Sequence, residues 1–118
     1  MNNLVLLDSG GEPFAVAKVR DVLRSIDGTH ELREGQFIGA VMDCEYDFGA
    51  ASTIIRLGED LKTIELTGVN DASLSAAIEI QRRLGRPLRL FDLAYSFNTV
   101  LRGDQTLDEL RGLVEDAG

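Results

Sequence analysis

The chain has 118 residues, 44% of them hydrophobic and 27% charged, and its 12 Lys+Arg against 20 Asp+Glu give a formal net charge of −8. That length suits one domain rather than two independent cores, and the composition is that of a globular protein, not a disordered tail. The acidic balance argues against nucleic acid or an anionic membrane as the partner, since both are held by Lys and Arg, and the single cysteine, Cys44, excludes an internal disulfide framework.

Leu4 to Leu7 reads as a short buried strand that Asp8 stops at once, followed by the turn residues Ser9-Gly10-Gly11. This apolar start is too short for a signal peptide or for a spanning helix of about 20 residues, so the cytoplasm is the expected location. Pro13 suits the first position of a helix, and Val16, Val19, Val22, Leu23 and Ile26 then recur at helical spacing until Asp27-Gly28. From Thr29 to Gly68 the period changes to two. The alternation running through Phe37 to Phe48, then Ser52 to Leu57 and Leu61 to Leu66, predicts strands joined by turns at Gly49-Ala50 and Gly58-Glu59-Asp60.

Asn70-Asp71 offers a cap for a helix carrying Leu74, Ala77, Ile78, Gln81 and Leu84 on one face, widened by Ala76 and Ile80. Gly85 and Pro87 end it, and Leu88 to Phe91 starts a strand. A strand–helix–strand passage of this length permits parallel strands around the helix. Asp92-Leu93-Ala94 reads as a bend before a last strand from Tyr95 to Leu101, and Thr106 with Glu109 as a capping box opening a terminal helix. Gly112 within that helix costs about 1 kcal/mol relative to Ala. The expected fold is a single α+β domain over 1–118, a mostly antiparallel mixed sheet with three helices in the order β-α-β-β-β-α-β-β-α.

The charge is unevenly spread. Residues 1–30 sum to −1, 31–60 to −5, 61–89 to +2 and 90–118 to −4. Asp43, Glu45 and Asp47 occupy alternate strand positions and so share one face, opposite Met42, Cys44, Tyr46 and Phe48. That stripe admits three readings: a solvated face kept from aggregating, a docking stripe for a basic partner, or a site for a hard cation. The last lacks the Gly and closing Glu of a calcium loop. Arg82, Arg83, Arg86 and Arg89 form the opposite pole, where cations near a helix C-terminus favour its dipole.

No motif points to a cofactor or to catalysis. His30 is the only histidine and lies in a polar stretch that reads as a turn, and Cys44 sits on the apolar side of its strand without a positioned base. Asp8-Ser9-Gly10-Gly11 lacks the spacing of a phosphate-binding loop, and Glu12 would repel an anion.

In the C-terminal third, Arg86-Pro87-Leu88-Arg89-Leu90-Phe91-Asp92, then Tyr95-Ser96-Phe97-Asn98, Leu101 and the helix from Thr106 to Glu115 resemble the end of small bacterial immunity proteins. These belong to polymorphic-toxin and contact-dependent growth inhibition systems. The resemblance implies one α+β domain that binds and neutralises the toxin domain encoded beside it, and it assigns no contact residues. The expectation is therefore a non-enzymatic binding protein facing a basic, nuclease-like toxin domain. Asp43, Glu45 and Asp47 would form the contact, with Glu59 and Asp60 in the adjacent turn and Tyr46 or Tyr95 as aromatic anchors. The alternatives are a homo-oligomer, such as a homodimer docking its arginine pole on the acidic stripe of a second copy, and a metal-dependent enzyme using the clustered carboxylates.

Overall fold

The computed structural model describes residues 2–117. Strand β1 (Leu4–Asp8) leads through a loop to helix α1 (Val16–Ser25), then to four strands, β2 (Thr29–Phe37), β3 (Ala40–Phe48), β4 (Ala51–Gly58) and β5 (Ile64–Leu66). Helix α2 (Asp71–Leu84), strands β6 (Leu88–Asp92) and β7 (Asn98–Leu101) and helix α3 (Leu107–Ala117) complete the chain. The class and the alternation of strand and helix blocks are those expected, with β2 standing as a strand of its own ahead of the rest of the meander. Gly39, at a backbone φ of 77°, turns the chain between β2 and β3.

All neighbouring strands pair antiparallel in one sheet of order β2-β3-β4-β5-β1-β6-β7. β5 and β6, on either side of α2, do run in the same direction, as the crossover length allows. They are not neighbours, because β1 lies between them and is antiparallel to both.

Four residues fall outside the elements that the sequence led one to expect. Pro13 does not open α1; the helix starts at Val16, and the Pro13 carbonyl instead accepts from Arg86 Nη2 at 3.3 Å. Leu61 and Tyr95 belong to turns rather than strands, each with a left-handed backbone (φ 61° and 56°). His30 lies on β2 rather than in a turn.

The strand period decides which side chains are covered. Leu4 and Leu6, Met42, Cys44 and Tyr46, Ile55 and Leu57, and Leu88 and Leu90 all project to one face. There they form one core with Val19, Val22 and Leu23 of α1, the buried stripe of α2 and Leu110 of α3. At about 1.5–3 kcal/mol for each large apolar side chain buried, this single layer of helices on a sheet dominates the folding energy. The caps fit the sequence signals. Asn70 and Ser73 form a reciprocal capping box at the start of α2, and Gly85 closes it at φ 73°. Arg111 holds Asp71 through two bonds of 2.8 and 2.7 Å, which fixes α3 on α2 and keeps the Asp71 carboxyl below its ordinary range.

Gly28 is packed directly against the backbone of β3. Its φ is 99°, and a Cβ there would lie 2.6 Å from the carbonyl oxygen of Asp47. Gly28→Ala is expected to lower stability by about 2 kcal/mol or more in urea unfolding; an unchanged midpoint would contradict this packing.

Candidate functional site

The three helices cover one face of the sheet, so the alternate residues of every strand form a second face that no helix covers. The registers align one residue from each strand in a row across it: Arg33, Asp43, Arg56, Glu65, Val5, Phe91 and Asn98. The row is charged with alternating sign over its first four strands and apolar at Val5 and Phe91. Opposite charges on adjacent strands stabilise such a surface, and like charges would not.

A β-bulge makes the charged end possible. The register shifts between His30 and Arg33, where Glu31 has a φ of 55°. Without an extra residue, His30 and Arg33 would point to opposite faces, because they lie an odd number of positions apart. With Glu31 inserted, Arg33 faces Asp43 and His30 faces Glu45. Arg33 grips Asp43 through two bonds of 2.9 and 2.7 Å and lies 4.9 Å from the centre of the Phe37 ring. His30 Nε2 is 2.9 Å from Asp47, and its Nδ1 is 3.7 Å from Glu45.

The expected acidic stripe is therefore partly engaged within the chain. Asp43 is only 7% exposed and is held by Arg33, whereas Glu45 and Asp47 are exposed beside His30. Glu59 is exposed at the β4–β5 turn. Asp60 folds onto that turn, accepting from the Lys62 amide and the Thr63 hydroxyl. The Lys62 bond leads the effects that hold its carboxyl below its ordinary range. Tyr46 is not an exposed anchor: it lies in the core, its hydroxyl 2.9 Å from Ser75 Oγ. Tyr95 is 82% exposed.

The apolar end of the face is made by Tyr95, expected as an anchor, and by Phe91 and Leu93, which were not expected there; Ile54, also unexpected, stands across from Glu45 on the charged strands. Ile54, Leu93 and Tyr95 are exposed, and the Tyr95 ring stacks on Phe91 with centroids 6.0 Å apart. Together with Val5 and Glu65 these rings and Leu93 bound a groove of about 390 Å³, with Arg56 at its other end. Arg56 donates to the Ile38 carbonyl at 2.8 Å, which ties down the β2–β3 turn where the Ile38 side chain is 98% exposed. The available signals were adjacent apolar pairs such as Ile54-Ile55 and the unbroken run Leu4 to Leu7. In a sheet covered on one side, such runs place one apolar residue outside.

A rigid turn presents Leu93 and Tyr95. Asp92 is buried at the end of β6 and accepts from Asn2, from the Ser96 hydroxyl and from the Ser96 and Phe97 amides. The preceding amides are also bonded: Leu93 to the Asn3 carbonyl, Ala94 to Asn2 Oδ1 and Tyr95 to the Asp92 carbonyl. Five consecutive amides, 93 to 97, are thus satisfied. Burial by itself would raise the Asp92 carboxyl, but these donors outweigh it and hold it at about 2.

The remaining candidates have structural work. The Asp8 carboxylate accepts the amides of Gly10 and Glu12 at 2.9 and 3.0 Å, filling with its own charge the position an anion would take. The arginine pole is dispersed: Arg82 bonds the Gln105 carbonyl, Arg83 bonds Glu79, Arg86 pairs with Asp8, and Arg89 bonds Asn98. Cys44 is buried and its thiol is pushed up to about 12, by burial first and then by Asp43 and Glu45, so thiolate chemistry is suppressed. Among the described residues, no group of three His, Cys, Asp or Glu is placed to hold a metal ion, and no helix is long and apolar enough to cross a membrane.

Comparison of the chain with protein-family models, with curated proteins and with solved structures gives no match.

Because the Asp92 carboxyl lies below its unfolded range, its contribution to stability is complete above about pH 4 and fades as pH falls through about 2. Asp92→Asn is expected to cost about 2 kcal/mol at pH 7 and to flatten the acid limb of the stability curve in urea titrations from pH 7 to 2. Equal acid limbs for the two proteins would contradict this role.

Proposed function

We propose that the chain is a non-enzymatic binding protein of the cytoplasm that neutralises a cognate toxin domain, docking that basic, nuclease-like domain on the uncovered face of its sheet. The observation that carries this reading is the face itself. It sets Ile54 in water across from Glu45, and Leu93 and Tyr95 in water farther along at the β6–β7 turn, with the unburied carboxylates of Glu45 and Asp47 on β3. Apolar side chains grouped on a surface, with charges at the margin, are the composition of a protein interface.

The division of labour on the face differs from a plain acidic stripe. Asp43 is held within the chain, so its replacement would test folding as much as binding. Glu45 and Asp47 at the margin would steer a basic partner by long-range attraction, and the apolar end would supply most of the contact energy. Covering the basic groove that holds a nucleic-acid backbone would deny the toxin its substrate. The resemblance of residues 86–115 to immunity proteins falls on the strand and turn that build this apolar end.

The test uses the double variant Glu45→Lys/Asp47→Lys, which leaves Asp43 and Arg33 intact, and the basic domain encoded beside this chain. Calorimetry is expected to show affinity lowered by about tenfold or more, and stopped-flow mixing at low salt to place most of that loss in the association rate, with the melting temperature little changed. A folded double variant that binds and protects at full strength would overturn the reading.

A further inference from the structure

We infer that the groove at the apolar end of the open face receives one basic side chain of the partner, an arginine above all; this rests on the reading of that face as the docking surface. Three observations carry it. The first is that the chain holds Tyr95 in a costly position. Its backbone is left-handed, which a tyrosine seldom adopts, while the turn around it is fixed by five bonded amides and the buried Asp92. A fold seeking only stability would place Gly there. The result is an exposed ring, already ordered and backed by Phe91, that loses little freedom when a ligand group covers it.

The second is the chemistry of the walls. The faces of stacked aromatic rings attract cations and repel anions, and a planar guanidinium can lie flat on them. The third is charge. Glu65 lines the groove and is in no ion pair among the described residues. Arg56 enters from the other end, where it is anchored to the Ile38 carbonyl and stands in register between Asp43 and Glu65. A side chain entering past Tyr95 therefore meets the rings and Glu65 before it meets Arg56, on a chain whose net charge is −8.

The experiment needs no toxin. The full chain is titrated with the blocked tripeptide Gly-Arg-Gly and, separately, with the same peptide carrying citrulline, glutamate or leucine in place of arginine, while side-chain resonances are followed by NMR. The arginine peptide is expected to shift Tyr95, Phe91 and Glu65 saturably and to bind about fivefold or more tightly than the citrulline peptide. Glu65→Gln should remove most of that preference. Tyr95→Gly should abolish binding without lowering the melting temperature, since Gly suits the left-handed backbone at that position. Equal response to citrulline or leucine, preference for glutamate, no response at all, or undiminished binding by Tyr95→Gly would overturn the inference. Failure here leaves the affinity of the Glu45→Lys/Asp47→Lys variant free to support the docking face, so the two claims fall separately.

Discussion

The constraint on which this structure depends is that a seven-stranded sheet is covered by helices on one side only. The hydrophobic effect settles the covered side, where every strand contributes to one core with all three helices. The other side must be stable in water with no layer above it. Over β2 to β5 the solution is electrostatic, a row of alternating charge whose members sit opposite one another on neighbouring strands. Over β1 and β6 that solution stops, and Val5 and Phe91 take its place. The apolar end of the row, the rigid turn above it and the exposed Tyr95 are then parts of one surface, which the proposed function assigns to a partner.

The fold was largely legible because its signals are local. The helical spacing of Val19, Val22 and Leu23, the Asn70 cap and the Gly85 stop each act within a few residues, and the structure follows them closely. Pro13 misled because its fixed φ suits many turns as well as a first helical position, and here the loop is fixed by Arg86 instead. The place of β1 between β5 and β6 was not legible, since which strand fills a central position is decided by packing across the whole chain.

The candidate site was legible in its charges and not in their pairing. Alternate positions correctly place Asp43, Glu45 and Asp47 on the open face, yet only the register shows Arg33 opposite Asp43. That register hangs on one inserted residue, Glu31, whose left-handed backbone leaves no mark in the sequence, for glutamate is not a residue that announces a bulge. Tyr95 was named from its type alone. Tyr46, of the same type, is buried, and the difference follows from strand period in one case and from a turn built around a distant carboxylate in the other.

The central claim, that the uncovered face is the working face, is tested most directly by oxidative footprinting of side chains in the complex with the basic toxin domain proposed as the partner. Ile54, Leu93 and Tyr95 should lose reactivity on binding, while Phe48 and Leu113, apolar side chains exposed elsewhere on the molecule, keep theirs. Protection of Leu113 or Phe48, with Tyr95 as reactive as in the free chain, would contradict the account.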